Sequence, residues 1–512
     1  MNQNNNSSNG GTFLKIVSKN PLLSLFFVGI GSVIIRLLFF QNELLFSSDN
    51  LSYFKYAIDV SLTGELPSTF SLPNNGWPLF LSIFFKLLDS ENFYHFMNLQ
   101  SILSIILSTI TIIPLYFLAK KFVEIPFAIF ATILFVFEPR IIQNSLIGVT
   151  EPLFILLIVT SLSLIFQKNK YVVSIAFIAV ALASIVRAEG LFLIPALCII
   201  FLIRFKITKK NLLQCIIFIS ISMMIILPFV LQRIESSGND FLVGRIILSS
   251  TAFSEQTQND PFQIISKILD SMYILLGFLG KLMIPYLWIF IPVGIILFLK
   301  KDQIKKILLI IPGIFLILPS LYAYSIPALD SRYLFPVLPI FCIFGTFAFM
   351  MYIKKTKHKK IISILIIIFI ISTSILFLNS KNQYIEKQKE FLELADIVNK
   401  KTDTILYINL SPVLSHLDSA SLLKLEKFPI LSSNYDNHLK VKIVDYSSIE
   451  NFFPNMEKNG ITHVVIDEEM NNPVIIKQIF EKYEKYKNLK MIFDSKENGF
   501  DYQIKIFEII QK

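Results

Sequence analysis

Charged side chains at the edges of long apolar runs are the residues of this chain that could do chemistry, because a charge near lipid costs free energy. Carboxylates and arginines that converge on one face of a helical bundle can bind an anion and activate a hydroxyl group. The groups of this kind are Arg36, Asp49, Glu138, Arg140, Glu151, Arg187, Glu189, Asp330 and Arg332.

Purely structural roles are open for the same groups. Asp49 follows Ser48 and could cap a helix that begins near Leu51. Thr150-Glu151-Pro152 is a typical helix start, since Thr caps, Glu suits the positive end of the dipole and Pro tolerates the first turn. The others could pair within their own loops: Glu138 with Arg140, Arg187 with Glu189, and Arg332 with Asp330. Because several loops each carry such a group, a shared site remains a competing interpretation.

The elements that must position these groups are membrane helices. Hydrophobic residues make up 54% of the 512 residues and charged residues 16%, whereas an average soluble domain has roughly 25% charged residues. The mean hydropathy is +0.63, so the excess apolar surface must face lipid. An all-α polytopic membrane bundle with about eleven spanning helices is therefore predicted. The apolar runs lie near 21–40, 97–119, 123–138, 152–167, 171–186, 190–205, 211–231, 282–299, 307–321, 334–352 and 361–378.

The loop between the first two runs is predicted to form two helices at the membrane surface, over 51–63 and 77–88. The stretch WPLFLSIFFKLL at 77–88 is too short to cross a bilayer, which needs about 20 apolar residues.

Basic residues predict the orientation of the bundle. The net charge is +10, and the Lys and Arg residues cluster in alternate loops, which indicates membrane topology and not a nucleic-acid partner. The clusters are Lys15 and Lys19 before the first run, Lys120 and Lys121 after the second, Lys168 and Lys170 after the fourth, Arg204 to Lys210 after the sixth, Lys300 to Lys306 after the eighth, and Lys354 to Lys360 after the tenth. The N-terminus is thus predicted to lie on the cytoplasmic side of the cell membrane and the C-terminus on the outer side. Residues 1–19 are predicted to be a disordered cytoplasmic tail, 20–379 the membrane domain and 380–512 an extracytoplasmic domain.

The tail has the composition of a soluble α/β domain. Short β-rich runs alternate with stretches of helical spacing, and Gly460 suits a helix C-cap. The β-rich runs are TILYIN, VKIVDY, THVVID, KMIFDS and YQIKIF, and the helical stretches are SSIENFFPNMEKNG and NPVIIKQIFEKYEKYKNL. The tail contains no P-loop and no GxGxxG, so no nucleotide site is indicated. Neither a HExxH motif nor a Cys/His cluster with zinc spacing indicates a metal site, and a divalent metal cofactor remains open.

The order of the charged segments resembles the GT-C superfamily of membrane glycosyltransferases, in the branch of the dolichyl-phosphate-mannose protein mannosyltransferases and the lipid A aminoarabinose transferase. That pattern has an acidic residue, a Tyr and Ala, a Gly and an aromatic-Pro-Leu segment in the first outer loop. Later loops carry acidic-Pro, Thr-Glu, Arg-x-Glu-Gly and Arg-Tyr with spaced prolines. The matching positions are Asp49, Tyr53, Ala57, Gly64, Trp77-Pro78-Leu79, Glu138-Pro139, Thr150-Glu151, Arg187 to Gly190, Arg332-Tyr333, Pro336 and Pro339, within about 20–350.

The resemblance implies an enzyme that transfers one sugar from a polyprenyl-phosphate donor to a glycan, lipid or protein acceptor outside the cytoplasm, with inversion. It implies Asp49 as the general base and phosphate or sugar contacts elsewhere. The implied substrate-binding residues are Arg332, Arg187, Glu151, Glu138, Tyr53 and Tyr333.

Two departures from the family pattern bear on this prediction. Asn50 stands where the family has a second acidic residue, which argues against a paired-carboxylate metal site in that loop. The Trp-Trp-Asp motif of the related oligosaccharyltransferases is absent from the sequence, which argues against transfer of a preassembled glycan.

Two other classes of protein stay open. A transporter would use the same charges as a substrate path, although such proteins usually show repeated halves with broken helices. A non-catalytic membrane scaffold would use them as helix caps and bind partners through its tail.

Overall fold

The structure, a computed structural model, describes most of the membrane region and part of the tail. The described residues are 19–42, 49–67, 75–88, 90, 92–237, 261–300, 303–326, 328–402, 405–407, 413, 416–417, 420, 422, 441–442, 449–468 and 474–510. The predicted disordered segment lies outside the described residues except for Lys19.

Helices form most of the described chain. The first eleven are α1 (Pro21–Phe39), α2 (Asp49–Thr63), α3 (Gly76–Leu87), α4 (Phe93–Ile110), α5 (Ile112–Ala119), α6 (Ile125–Val136), α7 (Pro139–Leu146), α8 (Glu151–Ile165), α9 (Lys170–Val186), α10 (Leu193–Phe205) and α11 (Lys209–Ser237). The next six are α12 (Pro261–Met283), α13 (Leu287–Phe298), α14 (Gln303–Ser325), α15 (Leu338–Lys355), α16 (Lys359–Asn379) and α17 (Asn382–Lys401). Two 3₁₀ turns, Ala188–Phe192 and Ser331–Val337, precede α10 and α15.

The polytopic all-α bundle predicted from the apolar runs is confirmed. Within the described part of the chain, seven helical stretches are long and apolar enough to cross a membrane, and two bent pairs raise the number to nine. The bent pairs are α6 with α7, at 55°, and α12 with α13, at 115°. The two remaining predicted runs coincide with α8 and α9, apolar helices of 15 and 17 residues. Every one of the predicted runs therefore lies on a helix.

The loop between the first two apolar runs forms helices where they were expected. Helix α2 begins at Asp49, two residues before the predicted start, and α3 has only 12 residues. At about 1.5 Å per residue such a helix is roughly 18 Å long, too short for the hydrocarbon core.

The chain forms two compact units. The first comprises Met1–Phe40, Phe70–Leu81 and Leu99–Ser380, and the second comprises Gln41–Thr69, Ser82–Asn98 and Lys381–Lys512. The predicted domain boundaries at 19 and 379 stay predictions.

Helix α15 is the centre of the first unit. The span Ser331–Lys355 is 89% buried, whereas α1, α11 and α16 are each 22% buried and lie at the periphery. Helices α13 and α15 pack at backbone distance, because a Cβ added at Gly294 would lie 2.0 Å from the Phe344 carbonyl oxygen. Small residues permit such close helix packing in membranes.

Gly294→Ala should therefore destabilise the protein by about 3 kcal/mol, because overpacking forces α13 and α15 apart. The measurement is the midpoint of SDS unfolding in mixed micelles. Gly277→Ala is the matched control, since nothing lies within 4 Å of a Cβ at Gly277 in α12. An equal midpoint for both variants would contradict the proposed backbone contact.

The second unit contains the predicted α/β tail. Its strands are β1 (Ile405–Tyr407), β2 (Val441–Lys442), β3 (His463–Asp467), β4 (Leu489–Asp494) and β5 (Ile504–Ile509), and its later helices are α18 (Ile449–Lys458) and α19 (Val474–Lys482). The sheet has the order β2-β1-β3-β5-β4, with β1 parallel to β2 and β3, and β5 antiparallel to β3 and β4. All five β-rich runs and both helical stretches are confirmed, and Gly460 has the left-handed φ of 63° expected of a C-cap.

Helices cover both faces of this sheet. Val465 packs in one cluster with Phe391, Leu394 and Val398 of α17, whereas Val464 and Ile466 pack in another with α18 and α19. Successive strand residues point to opposite faces, so the alternation of these side chains explains the two layers. Helix α17 was not among the predicted elements, although Phe391, Leu394, Ala395 and Val398 have helical spacing.

Candidate functional site

Glu151 lies at the start of α8 and is 1% exposed. Pro152 follows it in the first helical turn, where a missing N–H is tolerated. Thr150 precedes it and donates its hydroxyl to Glu151 Oε2 at 3.4 Å. A carboxylate buried to this degree requires positive partners.

Arg187 is the first of these partners. Helix α9 ends at Val186, and Arg187 adopts an extended conformation with φ −149° and ψ 131°, which turns its side chain out of the helical path. Arg187 Nη1 lies 2.6 Å from Glu151 Oε1 and donates to Thr150 Oγ1 at 3.2 Å. Arg187 Nη2 lies 2.9 Å from Glu189 Oε1, so the predicted local pair also forms.

Arg332 is the second partner of Glu151. Asp330 begins the 3₁₀ turn Ser331–Val337, accepts the Arg332 backbone N–H at Oδ1 (2.8 Å) and holds Arg332 Nε at Oδ2 (2.6 Å). Arg332 Nη1 reaches to 3.8 Å from Glu151 Oε1, the same oxygen that Arg187 contacts. Three elements distant in sequence thus converge on one carboxylate oxygen.

A small cleft, with room of about 10 Å³ for water-sized molecules, opens beside this ion-pair cluster. The Arg187 guanidinium carbon lies 5.7 Å from the centre of the Tyr333 ring and 6.0 Å from that of Phe154. The lining residues are Phe154, Arg187, Glu189, Leu316, Pro319, Tyr333 and Pro336. The two arginines are held in place by three carboxylates, those of Glu151, Glu189 and Asp330. A guanidinium group fixed in this way can offer its N–H groups to an anion such as a phosphate.

Glu138 and Arg140 form a separate pair. Glu138 Oε1 lies 3.3 Å from Arg140 Nη1, and Glu138 Oε2 accepts the Ile141 N–H at 2.8 Å as the N-cap of α7. Arg140 also donates to the Ile284 carbonyl and stacks 4.8 Å from the centre of the Phe377 ring. Within the described ranges these two residues make no ion pair with the Glu151 cluster.

Asp49 and Tyr53 belong to the second compact unit. Asp49 is half-buried in the first turn of α2, and the neighbouring Asn50 Oδ1 accepts the Leu51 N–H at 3.0 Å. Tyr53 is 4% exposed on the same helix. The predicted roles of both residues stay predictions.

Arg36 has a structural role at the break between α6 and α7, which its position in the sequence did not predict. It is fully buried, and it donates to the Val136 carbonyl at 3.1 Å and to Ser145 Oγ and Ser108 Oγ at 3.0 Å each. Val136 ends α6 at the 55° break, where a carbonyl loses its helical partner. Arg36 thus stabilises the broken span by donating hydrogen bonds to a backbone carbonyl and to serine hydroxyl groups, all of which are uncharged.

Metal ligation has no candidate among the residues that the structure describes, because no three His, Cys, Asp or Glu side chains cluster there. Glu151 is engaged by two arginines. A divalent metal remains untested.

Comparison with known proteins rests on solved structures. No family model matches the sequence, and no curated protein is significantly similar to it. The oligosaccharyltransferase of Archaeoglobus fulgidus in complex with Zn and sulfate aligns with a TM-score of 0.59 and 14% identity over 87% of this chain and 68% of that chain. The archaeal oligosaccharyltransferase AglB from the same organism, in complex with an inhibitory peptide and a dolichol-phosphate, aligns with a TM-score of 0.58 and 14% identity over 88% of this chain and 69% of that chain.

A bacterial structure aligns over nearly its whole length. ArnT from Cupriavidus metallidurans, bound to undecaprenyl phosphate, has a TM-score of 0.54 and 9% identity over 94% of this chain and 97% of that chain. At these identities the likeness concerns the fold.

Proposed function

We propose that this chain, which has the fold of the GT-C membrane glycosyltransferases, is itself a glycosyltransferase that moves a single sugar from a polyprenyl-phosphate donor to an acceptor. The observation that carries the proposal is the convergence of Arg187 and Arg332 on the buried Glu151 beside a cleft. A fold likeness alone would not indicate activity, because one fold hosts many functions.

The donor class follows from two lines of support. ArnT and AglB, which share the fold, are each known in complex with a polyprenyl phosphate, undecaprenyl phosphate and dolichol-phosphate respectively. The paired arginines offer the fork-like donors that bind phosphate oxygens in two places. A polyprenyl chain would remain in the bilayer while its phosphate reaches the arginines.

The proposed reaction is a direct displacement. An acceptor hydroxyl oxygen attacks the anomeric carbon, the bond from that carbon to the phosphate oxygen breaks, and its electron pair leaves with the polyprenyl phosphate. The hydroxyl proton passes to a general base, for which Asp49 is the candidate. Attack opposite the leaving group inverts the anomeric centre. Phosphate is a stable leaving anion, so electrostatic stabilisation by arginine is the main requirement at that end.

Glu151 acts in this proposal as the residue that orients both arginines, and Tyr333 as an aromatic surface beside Arg187 for the sugar. Glu138 orients Arg140 and the start of α7, in line with its two contacts. Tyr53 remains a candidate sugar contact from the first outer loop. The acceptor is a glycan, lipid or protein in the extracytoplasmic space, with the N-terminus in the cytoplasm and the tail outside.

The test is a transfer assay with the full chain in lipid nanodiscs. Undecaprenyl- and dolichyl-phosphate hexoses are offered with glycan, lipid and peptide acceptors, and both free polyprenyl phosphate and glycosylated acceptor are measured. Release of the lipid phosphate together with an inverted product, assigned by NMR, supports the proposal. Failure of every such donor to bind or react would overturn it.

Arg332→Lys should weaken the binding of polyprenyl phosphate by about tenfold while unfolding changes little. Lysine keeps the charge but loses the fork, and charge-assisted hydrogen bonds are typically worth about 1.5–3 kcal/mol. Binding is measured by the quenching of a fluorescent polyprenyl phosphate in nanodiscs.

Arg204→Lys is the control for this variant. Arg204 donates to the carbonyls of Phe166 at 3.1 Å and Gln167 at 3.2 Å, where α8 ends. Its replacement should lower stability and leave donor binding unchanged. If Arg332→Lys binds polyprenyl phosphate as tightly as the wild type, the proposed contact between Arg332 and the phosphate is wrong.

A further inference from the structure

The carbonyl of Gly148, three residues before Glu151, accepts two side-chain hydrogen bonds. Trp77 Nε1 donates to it at 3.0 Å and Gln100 Nε2 at 2.6 Å. Both donor residues are fully buried. Gly148 has a φ of 67°, the left-handed region that favours glycine, so this turn has a special backbone shape that the two donors hold.

Gly76, the residue before Trp77, contacts the segment that carries the other half of the ion pair. A Cβ at Gly76 would lie 2.7 Å from the Val186 backbone nitrogen and 2.9 Å from its Cα. Val186 is the last residue of α9, and Arg187 follows it directly. Two consecutive residues thus contact both chain segments that meet at the Glu151–Arg187 pair.

The connection between α8 and α9 does not by itself hold this pair together. The two helices follow each other through the short loop 166–169, at the end of α8 remote from Glu151. Since α8 has 15 residues, that loop lies about 22 Å along the helix from Glu151. Helices α8 and α9 also pack directly against each other. The separation of Glu151 and Arg187 at the open end of the hairpin is therefore set by this packing together with what packs across that end.

We propose that Gly76 and Trp77 form a positioning element that keeps Glu151 and Arg187 in register by packing across the open end of the α8–α9 hairpin. Neither residue is among those that line the cleft, so their effect passes through the ion pair. The inference rests on the proposed function only for its consequence on transfer.

The test is a double-mutant cycle that is measured twice, once by melting temperature and once by kcat. Trp77→Phe keeps the ring and removes the N–H donor, and it is made in the wild-type and in the Glu151→Gln background. In the wild type, Trp77→Phe should lower the melting temperature by about 2–4 °C and kcat by roughly tenfold, because small displacements of catalytic groups reduce rates steeply. In the Glu151→Gln background both changes should shrink to less than half, because contacting residues act non-additively. A merely structural tryptophan would give equal changes in both backgrounds, which would overturn the proposal.

The other tryptophan of the chain supplies the matched control. Trp288 Nε1 also donates to a backbone carbonyl, that of Pro285, at 3.0 Å, but Trp288 is 58% exposed. Trp288→Phe should leave kcat unchanged and show no coupling to Glu151→Gln. If Trp77→Phe does not fold, Gln100→Met is used in its place for both measurements, because it removes the second hydrogen-bond donor to the Gly148 carbonyl.

The double-mutant cycle measured by melting temperature tests this inference separately from the proposed function, because it does not require sugar transfer. Coupling of Trp77 to Glu151 in a wild-type protein that transfers no sugar would support the positioning element and contradict the function. Absence of coupling in a protein that does transfer sugar would contradict the positioning element alone.

Discussion

Asp49→Asn is expected to lower sugar transfer by about 10²–10⁴-fold, the usual contribution of a general base, while protein level stays unchanged. The amide has the same size and retains most hydrogen bonds, but it cannot accept the acceptor's proton. The initial rate of polyprenyl-phosphate release is the measurement, with donor binding followed in parallel. Because the substitution spares phosphate contacts, the fall should be in kcat and not in donor affinity.

A helix-start role for Asp49 predicts a different result. Asn is nearly as favourable as Asp at a helix start, and a charge in the first turn contributes only about 0.3–1 kcal/mol. Near-normal transfer by Asp49→Asn would therefore indicate that Asp49 only stabilises the start of α2 and is not the general base. Glu65→Gln is the control, since Glu65 is an exposed carboxylate of the same compact unit and should be silent.

If Asp49 is not the base, the search moves to Glu138 and Glu151. Glu138 is bound to Arg140 and to the N-terminus of α7, and Glu151 is bound to two arginines. These contacts, together with the Thr150 hydroxyl at Glu151 Oε2, occupy both oxygens of each carboxylate, which a substrate hydroxyl would have to reach. Asp49 stands first because the family resemblance implies it as the base.

Glu151→Gln should produce the largest loss of stability, about 3–5 kcal/mol, because it removes the buried carboxylate partner of Arg187 and leaves that arginine only the partly exposed Glu189. Glu151 is 1% exposed and serves Arg187 at 2.6 Å and Arg332 at 3.8 Å. The loss is read as a lower midpoint of SDS unfolding in mixed micelles. Binding of polyprenyl phosphate should weaken as well, since both arginines lose their orientation.

The double variant Glu151→Gln/Arg187→Gln distinguishes an ion pair from simple packing. Removing both charges should be less destabilising than the sum of the single changes, because no unpaired charge remains at the short contact. Glu189→Gln is the matched control: its side chain is 23% exposed, so its pair with Arg187 should contribute much less. Additive single effects would contradict a buried ion pair between Glu151 and Arg187.

Local patterns were sufficient for the elements themselves. Apolar runs coincide with helices, and the β-rich runs of the tail coincide with strands, because both depend on residue spacing within a few turns or residues. The two broken spans were less visible. The bend between α6 and α7 occurs at Glu138-Pro139, where Pro indicates a break, but the stabilising contact comes from Arg36, about a hundred residues earlier.

Composition and residue spacing were enough to predict a membrane bundle with an α/β tail, and charged motifs at the ends of its helices. The sequence also predicted the local pairs Arg187–Glu189, Arg332–Asp330 and Glu138–Arg140, since neighbours two residues apart can meet in almost any loop. Only the tertiary structure decided that Glu151 joins Arg187 and Arg332, and that Trp77 and Gly76 pack against the segments carrying the pair. Those contacts join residues far apart in the chain, and such separations are set by how helices pack, which no local spacing encodes.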